Sequence, residues 1–249
     1  MSLSTLPLST ADYIALCLFV AAWLVHTYAV ESGRFPRISL TQAMNRHRES
    51  WMLTMAEREV RIVDTQIMSG LQQGTAFFAS SSLIALGGCF ALLGASNNVL
   101  MLLGDLAIAD LNSRRLFEIK VLGLILILAY AFFKFGWAYR LFNYCSILIG
   151  AVPMARPGIP PDAETLLAVR RAIRMNQFGG KHFNEGLRAM FFSIGYLGWF
   201  IGPPFLLVTT ALLLVVLVRR QFFSVARLAA IDQLPDGPGN GVSMRPDSQ

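Results

Sequence analysis

Charge is scarce in this chain: 14% of its 249 residues are Asp, Glu, Lys or Arg, 55% are hydrophobic, and mean hydropathy is +0.53. A soluble domain usually carries about 25% charged residues, so the composition excludes that class and points to a polytopic membrane protein. Histidine is sparse too: His26, His47 and His182 are far apart, form no HExxH-like pair and lack the intramembrane acids of a metal cage. Cys17, Cys89 and Cys145 each lie in an apolar stretch. Their odd number and wide spacing fit neither a disulfide framework nor a zinc pattern, so they read as small buried hydrophobes. Phosphate-cradling glycine loops, serine elbows and thiol pairs are missing, and the reading is of a non-enzyme with no catalytic, cofactor or metal residues. Nothing from Met1 to Thr10 is Lys or Arg, so the first apolar run is not a typical signal peptide.

Four apolar runs approach the ~20 residues that cross a ~30 Å hydrocarbon core. They lie at about 11–30, 75–96, 119–140 and 197–218. No central linker divides the chain, so the expectation is an all-α, four-span transmembrane helical bundle over 1–232, with long cytoplasmic helical extensions and a disordered tail at 233–249. The cations set the orientation. Arg34, Arg37, Arg46, Arg48, Arg58 and Arg61 lie between the first two runs, and Arg156, Arg170, Arg171, Arg174, Lys181 and Arg188 between the last two. Both segments are placed in the cytoplasm, with both termini on the other side of the membrane. Arg219, Arg220 and Arg227, beyond the last run, strain that arrangement.

The cytoplasmic segments have their own periodicity. From Leu40 to Leu71, Met44, Trp51, Met55 and Ile62 share a helical face, no Pro intervenes, and one helix is expected to continue into the second span. The third span is expected to run on to Val152 and stop at the prolines that follow, with Lys134 near the cytoplasmic interface. A further helix is expected from Asp162, a natural N-cap, to Phe178, ended by Gly179 and Gly180. The connection holding Asp105 and Asp110 mixes Leu, Met and Ile, and is expected to lie along the membrane surface.

RIVDTQIMSGLQQGTAFFASSSLI and FEIKVLGLILILAYAFFKFGWAYRLFNYCSILIGAVP resemble the bacterial and plant membrane-protein family named domain of unknown function 599. The resemblance covers most of the chain apart from its first residues and tail. It implies the membrane fold and transfers no catalytic residue.

The polar residues inside apolar runs are the functional candidates. Thr65, Ser69, Gln72 and Ser80 follow helical spacings into the second span, with Gln73 alongside. Lys134 and Arg140 sit in FFKFGWAYRLFNY, where a cation costs about 2.5–3.5 kcal/mol on insertion scales and is normally paired, snorkelled or facing water. One reading makes this a polar path whose cations favour anions; the other makes it interhelical hydrogen bonding, with Lys134 or Arg140 paired to Asp64, Glu57 or Glu59. Gly202, Pro203 and Pro204 break the last span near its middle, freeing carbonyls or simply kinking it. Gly70, Gly74, Gly87, Ala91 and Ala95, and Gly198 with Gly202, are spaced for close helix packing within or between chains. His26 reads as hydrogen-bonded to a neighbouring helix, with haem or quinone ligation as the rival; His182 and Glu185 form a weak acid/base candidate, and Asn184 a helix cap.

Two functions follow. The first is passage of an ion or small solute, which four spans achieve only as a homo-oligomer; the second is a non-transporting scaffold or accessory subunit whose cytoplasmic helices, around Trp51 and Leu166, dock a protein partner. Membrane lipids are the other expected partner. Nucleic acid is not one, because the excess of cations, +6 net, clusters beside apolar runs.

Overall fold

The computed structural model describes residues 7–32, 37–104, 114–154 and 162–231, and these form helices without strands. In chain order they are α1 (Thr10–Glu31), α2 (Leu40–Ala56), α3 (Ile62–Gly94), α4 (Ser96–Gly104), α5 (Arg114–Ala151), α6 (Ala163–Tyr196), α7 (Gly198–Ile201), α8 (Pro203–Phe222) and α9 (Val225–Ala230). Four stretches are long and apolar enough to cross a membrane: Thr10–Glu31, Ile62–Gly94, Arg114–Ala151 and Pro203–Ala230. α5 alone has 38 residues, about 57 Å at 1.5 Å per residue, and so outruns the hydrocarbon core. The tail from 233, Asp105, Asp110, Arg34 and Arg156 lie outside the described residues.

Local chemistry sets the helix ends. Ser9 and Ser39 form capping boxes with Asp12 and Gln42, and the Asp162 carboxylate accepts the Thr165 N–H at 2.8 Å. At the C-terminus of α5, Arg61 donates to the carbonyls of Ile149, Val152 and Pro153 at 2.7–3.0 Å, satisfying groups the helix leaves unpaired.

The expected continuous helix from Leu40 into the second span is instead two helices with a corner at residues 57–61. Helical propensity through this segment is overridden by tertiary packing. The corner lets Met52 and Met55 reach a shared core with Met68, Phe142 and Val169, while Arg58 turns back to Asp64. The helix expected to end at Gly179 and Gly180 continues through them to Tyr196. A Cβ on Gly179 would stand 2.7 Å from the Phe142 ring, and one on Gly180 would stand 2.1 Å from Arg48 Nη1. These glycines make room for neighbours and do not terminate the helix. Gly186 does the same for Phe135; it stands seven residues after Gly179 as Phe135 stands seven before Phe142, so α5 and α6 mesh antiparallel along a seam of ring and notch. Asn184, expected as a cap, therefore lies inside α6.

The chain reverses at Gly202. Gly202 is extended, Pro203 opens α8, and Gly198 lies so close to α8 that a Cβ would stand 2.7 Å from the Phe205 carbonyl. The Gly202–Pro203–Pro204 break is thus a turn at the start of the last apolar helix and not an interruption of its middle. α6 climbs beside α1: Lys181 and Arg188 meet Glu31 at one end, and Trp199, just beyond α6, meets Asp12 at the other. α8 then descends until Gln221 accepts from Thr41 at 3.2 Å and Arg227 donates to the Ile38 carbonyl at 2.6 Å. The end of α8 lies beside α2, opposite the start of α1. Both ends of the described chain were expected on one side; the reversal separates them and brings Arg219, Arg220 and Arg227 to the end that carries Arg46, Arg58 and Arg61.

Candidate functional site

α1, α5 and α6 together build a charged network toward the basic end. On α6, Lys181, Glu185 and Arg188 follow at four and then three residues and so share one face. Glu185 Oε2 lies 2.5 Å from Lys134 Nζ of α5 and 3.2 Å from His182 Nδ1. Lys181 Nζ lies 3.1 Å from Glu31 Oε2 and 4.0 Å from Glu185 Oε1, and Arg188 also pairs with Glu31. The alternation Lys134–Glu185–Lys181–Glu31–Arg188 runs from the α5 face to the end of α1. Lys134 is half-buried, 5.2 Å from the centre of the Tyr130 ring. His26, one turn and a half before Glu31, is 4% exposed, and neither of its ring nitrogens has a hydrogen-bond partner among the described residues.

A second cluster closes the far end. Asp12 is buried: its Oδ1 accepts the Trp199 indole N–H at 2.7 Å, and its Oδ2 accepts the Ser9 N–H and hydroxyl at 2.9 and 2.7 Å. Lys120, 1% exposed, stands 5.5 Å from the centre of the Trp199 ring. Packed rings separate the two clusters, with Phe19 edge-on to Phe192 and Tyr196.

The sequence candidates are divided by the fold. Lys134 enters the network, but its partner is Glu185 and not Asp64, Glu57 or Glu59. Asp64 is fully buried in the α2–α3 corner, accepting from Trp51 Nε1 and Arg58 Nη1, each at 2.7 Å. Arg140 is exposed and donates to the Tyr144 hydroxyl at 2.6 Å. Gln72 faces α5, donating to Asn143 Oδ1 at 2.8 Å and Ser146 Oγ at 3.1 Å. Thr65, Gln73 and Ser80 are exposed; Thr65 donates to the Ile62 carbonyl and Gln73 to Ser69 Oγ, both within α3. The stripe is therefore split between one inward residue and an outward set. His182 and Glu185 do meet, as parts of the network.

Sequence reasoning passed over Asp12, Glu31 and Lys120, and counted Arg48 and Arg188 only as orientation signals. Asp12 had a readable signal, since Ser9 followed three residues later by an acid is a capping-box pattern. Arg48 had none. Its Nη1 donates to the backbone carbonyl and Oδ1 of Asn176, both at 3.0 Å, and its burial disfavours the charged form and lowers its pKa.

No curated protein and no solved structure matches the chain. The family description that does match covers residues 14–226, and by it the chain belongs to the family named "Protein of unknown function, DUF599".

Proposed function

We propose that the protein passes a proton or small ion across a bacterial inner membrane, and that the Lys134–Glu185–His182 network with Glu31, Lys181 and Arg188 is the site through which it does so. The observation that carries this reading is the assembly of these ionisable groups, from three helices, beside apolar spans. A passive anchor has no use for them, and a buried ion pair is often no more stable than hydrophobic residues of the same volume. The basic end is placed in the cytoplasm, the start of α1 outside, and the second half of α6 crosses alongside α1 and α5. With α8 descending to the same end, the cations beyond it no longer oppose the positive-inside rule.

Purified protein in liposomes is expected to give an ionic current or a dye-reported proton flux. Replacing both partners at once, Lys134→Met with Glu185→Leu, removes the charges without stranding either one. A variant that keeps its melting temperature within a few degrees and loses at least about tenfold of the flux supports transport. Unchanged flux in that variant, or none in the parent protein, rejects it.

The scaffold reading has one observation in its favour: Val60, Ile62 and Val63 at the α2–α3 corner are each more than 60% exposed. If this corner docks a partner in the cytoplasm, Val60→Asp will abolish complex formation in cells while flux in liposomes stays at the parent level.

A further inference from the structure

Glu185 is claimed by two helices at once. Its Oε2 lies 2.5 Å from Lys134 Nζ on α5 and 3.2 Å from Nδ1 of His182, which precedes it on α6. His182 Nδ1 in turn lies 3.5 Å from Lys134 Nζ, so ammonium, imidazole and carboxylate close a triangle. Oε2 is buried, and among the described residues it takes a well-aligned hydrogen bond from neither neighbour. The His182 side chain is 23% exposed and so is not sealed in.

The three edges of this triangle are never all favourable together. An imidazole nitrogen carries either a lone pair or a proton. With a lone pair, Nδ1 accepts from Lys134 and faces a carboxylate oxygen that it cannot bond. With a proton, a small turn of the ring aligns Nδ1–H on Oε2, and the positive ring then faces the Lys134 ammonium. Lys181, also on α6, lies 4.0 Å from Glu185 Oε1, so three cations would share one carboxylate. Glu31 of α1 does not relieve them, being committed to Lys181 and Arg188. Lys134 is the cation with another place to go, because the Tyr130 ring of α5 lies 5.2 Å away.

We propose that His182 is a proton-operated switch on the joint between α5 and α6. Neutral, with its proton on Nε2, it takes a hydrogen bond from Lys134 and leaves Glu185 paired across to α5. Protonated on Nδ1 from solvent, it draws Glu185 into a bond within α6 and frees Lys134. The proton thus changes the helix to which Glu185 is tied: a pair three residues apart on one helix holds no second helix, whereas Lys134–Glu185 joins two. Histidine suits the task because its ordinary titration falls between about pH 5 and 8.

The inference rests on the transport reading for what the switch controls, but the exchange of partners is read without flux. In nanodiscs, Lys134→Met is expected to lower the melting temperature at least about twice as much at pH 7.5 as at pH 5.5, where Glu185 has already turned to His182. In a His182→Gln background, whose side chain does not titrate, the loss is expected to be equal at both. In the NMR spectrum of the parent protein carrying isotope-labelled histidine, the His182 Nδ1 signal is expected to move from the lone-pair to the N–H position over the same range. Equal losses in the parent background, or an Nδ1 whose protonation does not change between these pH values, overturns the switch. Flux in liposomes is expected to rise at least about fivefold when the basic side is acidified and to stay flat in His182→Gln. No flux at either pH rejects the transport reading alone, since the melting and ring signals still decide the switch.

Discussion

The two charged clusters use the same kinds of residue and are built in opposite ways. At the far end Asp12 is saturated: both oxygens accept hydrogen bonds, from Trp199 and Ser9, and nothing is left over for a mobile species. In the network toward the basic end neither acid is closed off. Glu185 is shared among Lys134, His182 and Lys181, Glu31 is shared between Lys181 and Arg188, and Lys181 is half exposed. A carboxylate with fixed donors holds helices in register, whereas a chain of carboxylates with competing cations can exchange partners at little cost. Under the proposed transport function, the difference is that between a clamp and a site.

The comparison breaks most readily at Asp12. Asp12→Ala leaves the buried indole N–H of Trp199 without its acceptor and takes a negative charge away from the neighbourhood of buried Lys120, and is expected to cost about 3–5 kcal/mol, the range for removing one member of a buried charged set. A fall in melting temperature, with flux per folded molecule retained, would fit the clamp; an intact fold with altered flux would merge the two clusters into one pathway. Gly186→Val tests the α5–α6 seam beside the network. Its side chain enters the space of the Phe135 ring, and overpacking of this kind costs about 1–3 kcal/mol, readable by thermal unfolding in detergent. The smallest effect is expected from Arg140→Gln, which removes an exposed charge bonded only to Tyr144 among the described residues: less than about 0.5 kcal/mol, with unchanged ion selectivity. A selectivity change there would move the site out of the network and back to the outer face of α5.

The apolar helices were legible from hydropathy because lipid-facing residues must be apolar, and α1, α3, α5 and α8 each present such a face. The second half of α6 was not. It is enclosed by α1, α5 and α8, and a helix surrounded by protein can keep Lys181, His182, Glu185 and Arg188 where a lipid-facing one cannot. Lys134 announced itself as a cation in an apolar run, but its partner Glu185 is distant in sequence and lies on a helix whose path was misread. Gly179 and Gly180 show the same limit: locally a glycine pair reads as a stop, and only the ring of Phe142 and the guanidinium of Arg48 reveal it as clearance. Gln72 and Gln73, adjacent in sequence, point to opposite fates, one toward α5 and one outward, which composition alone does not distinguish.

The ring-and-notch seam has a mechanical consequence for the network it carries. Phe135 and Gly186 are chain neighbours of Lys134 and Glu185, so the joint that fixes the stagger of α5 on α6 is adjacent to the ion pair itself. Sliding α6 by one turn, about 5.4 Å, would pull two phenylalanine rings out of their sockets together before the salt link could re-form with a new mate. Any gating movement is therefore steered into rotation or tilt, and the ammonium and carboxylate travel as passengers of a ratchet with no intermediate teeth.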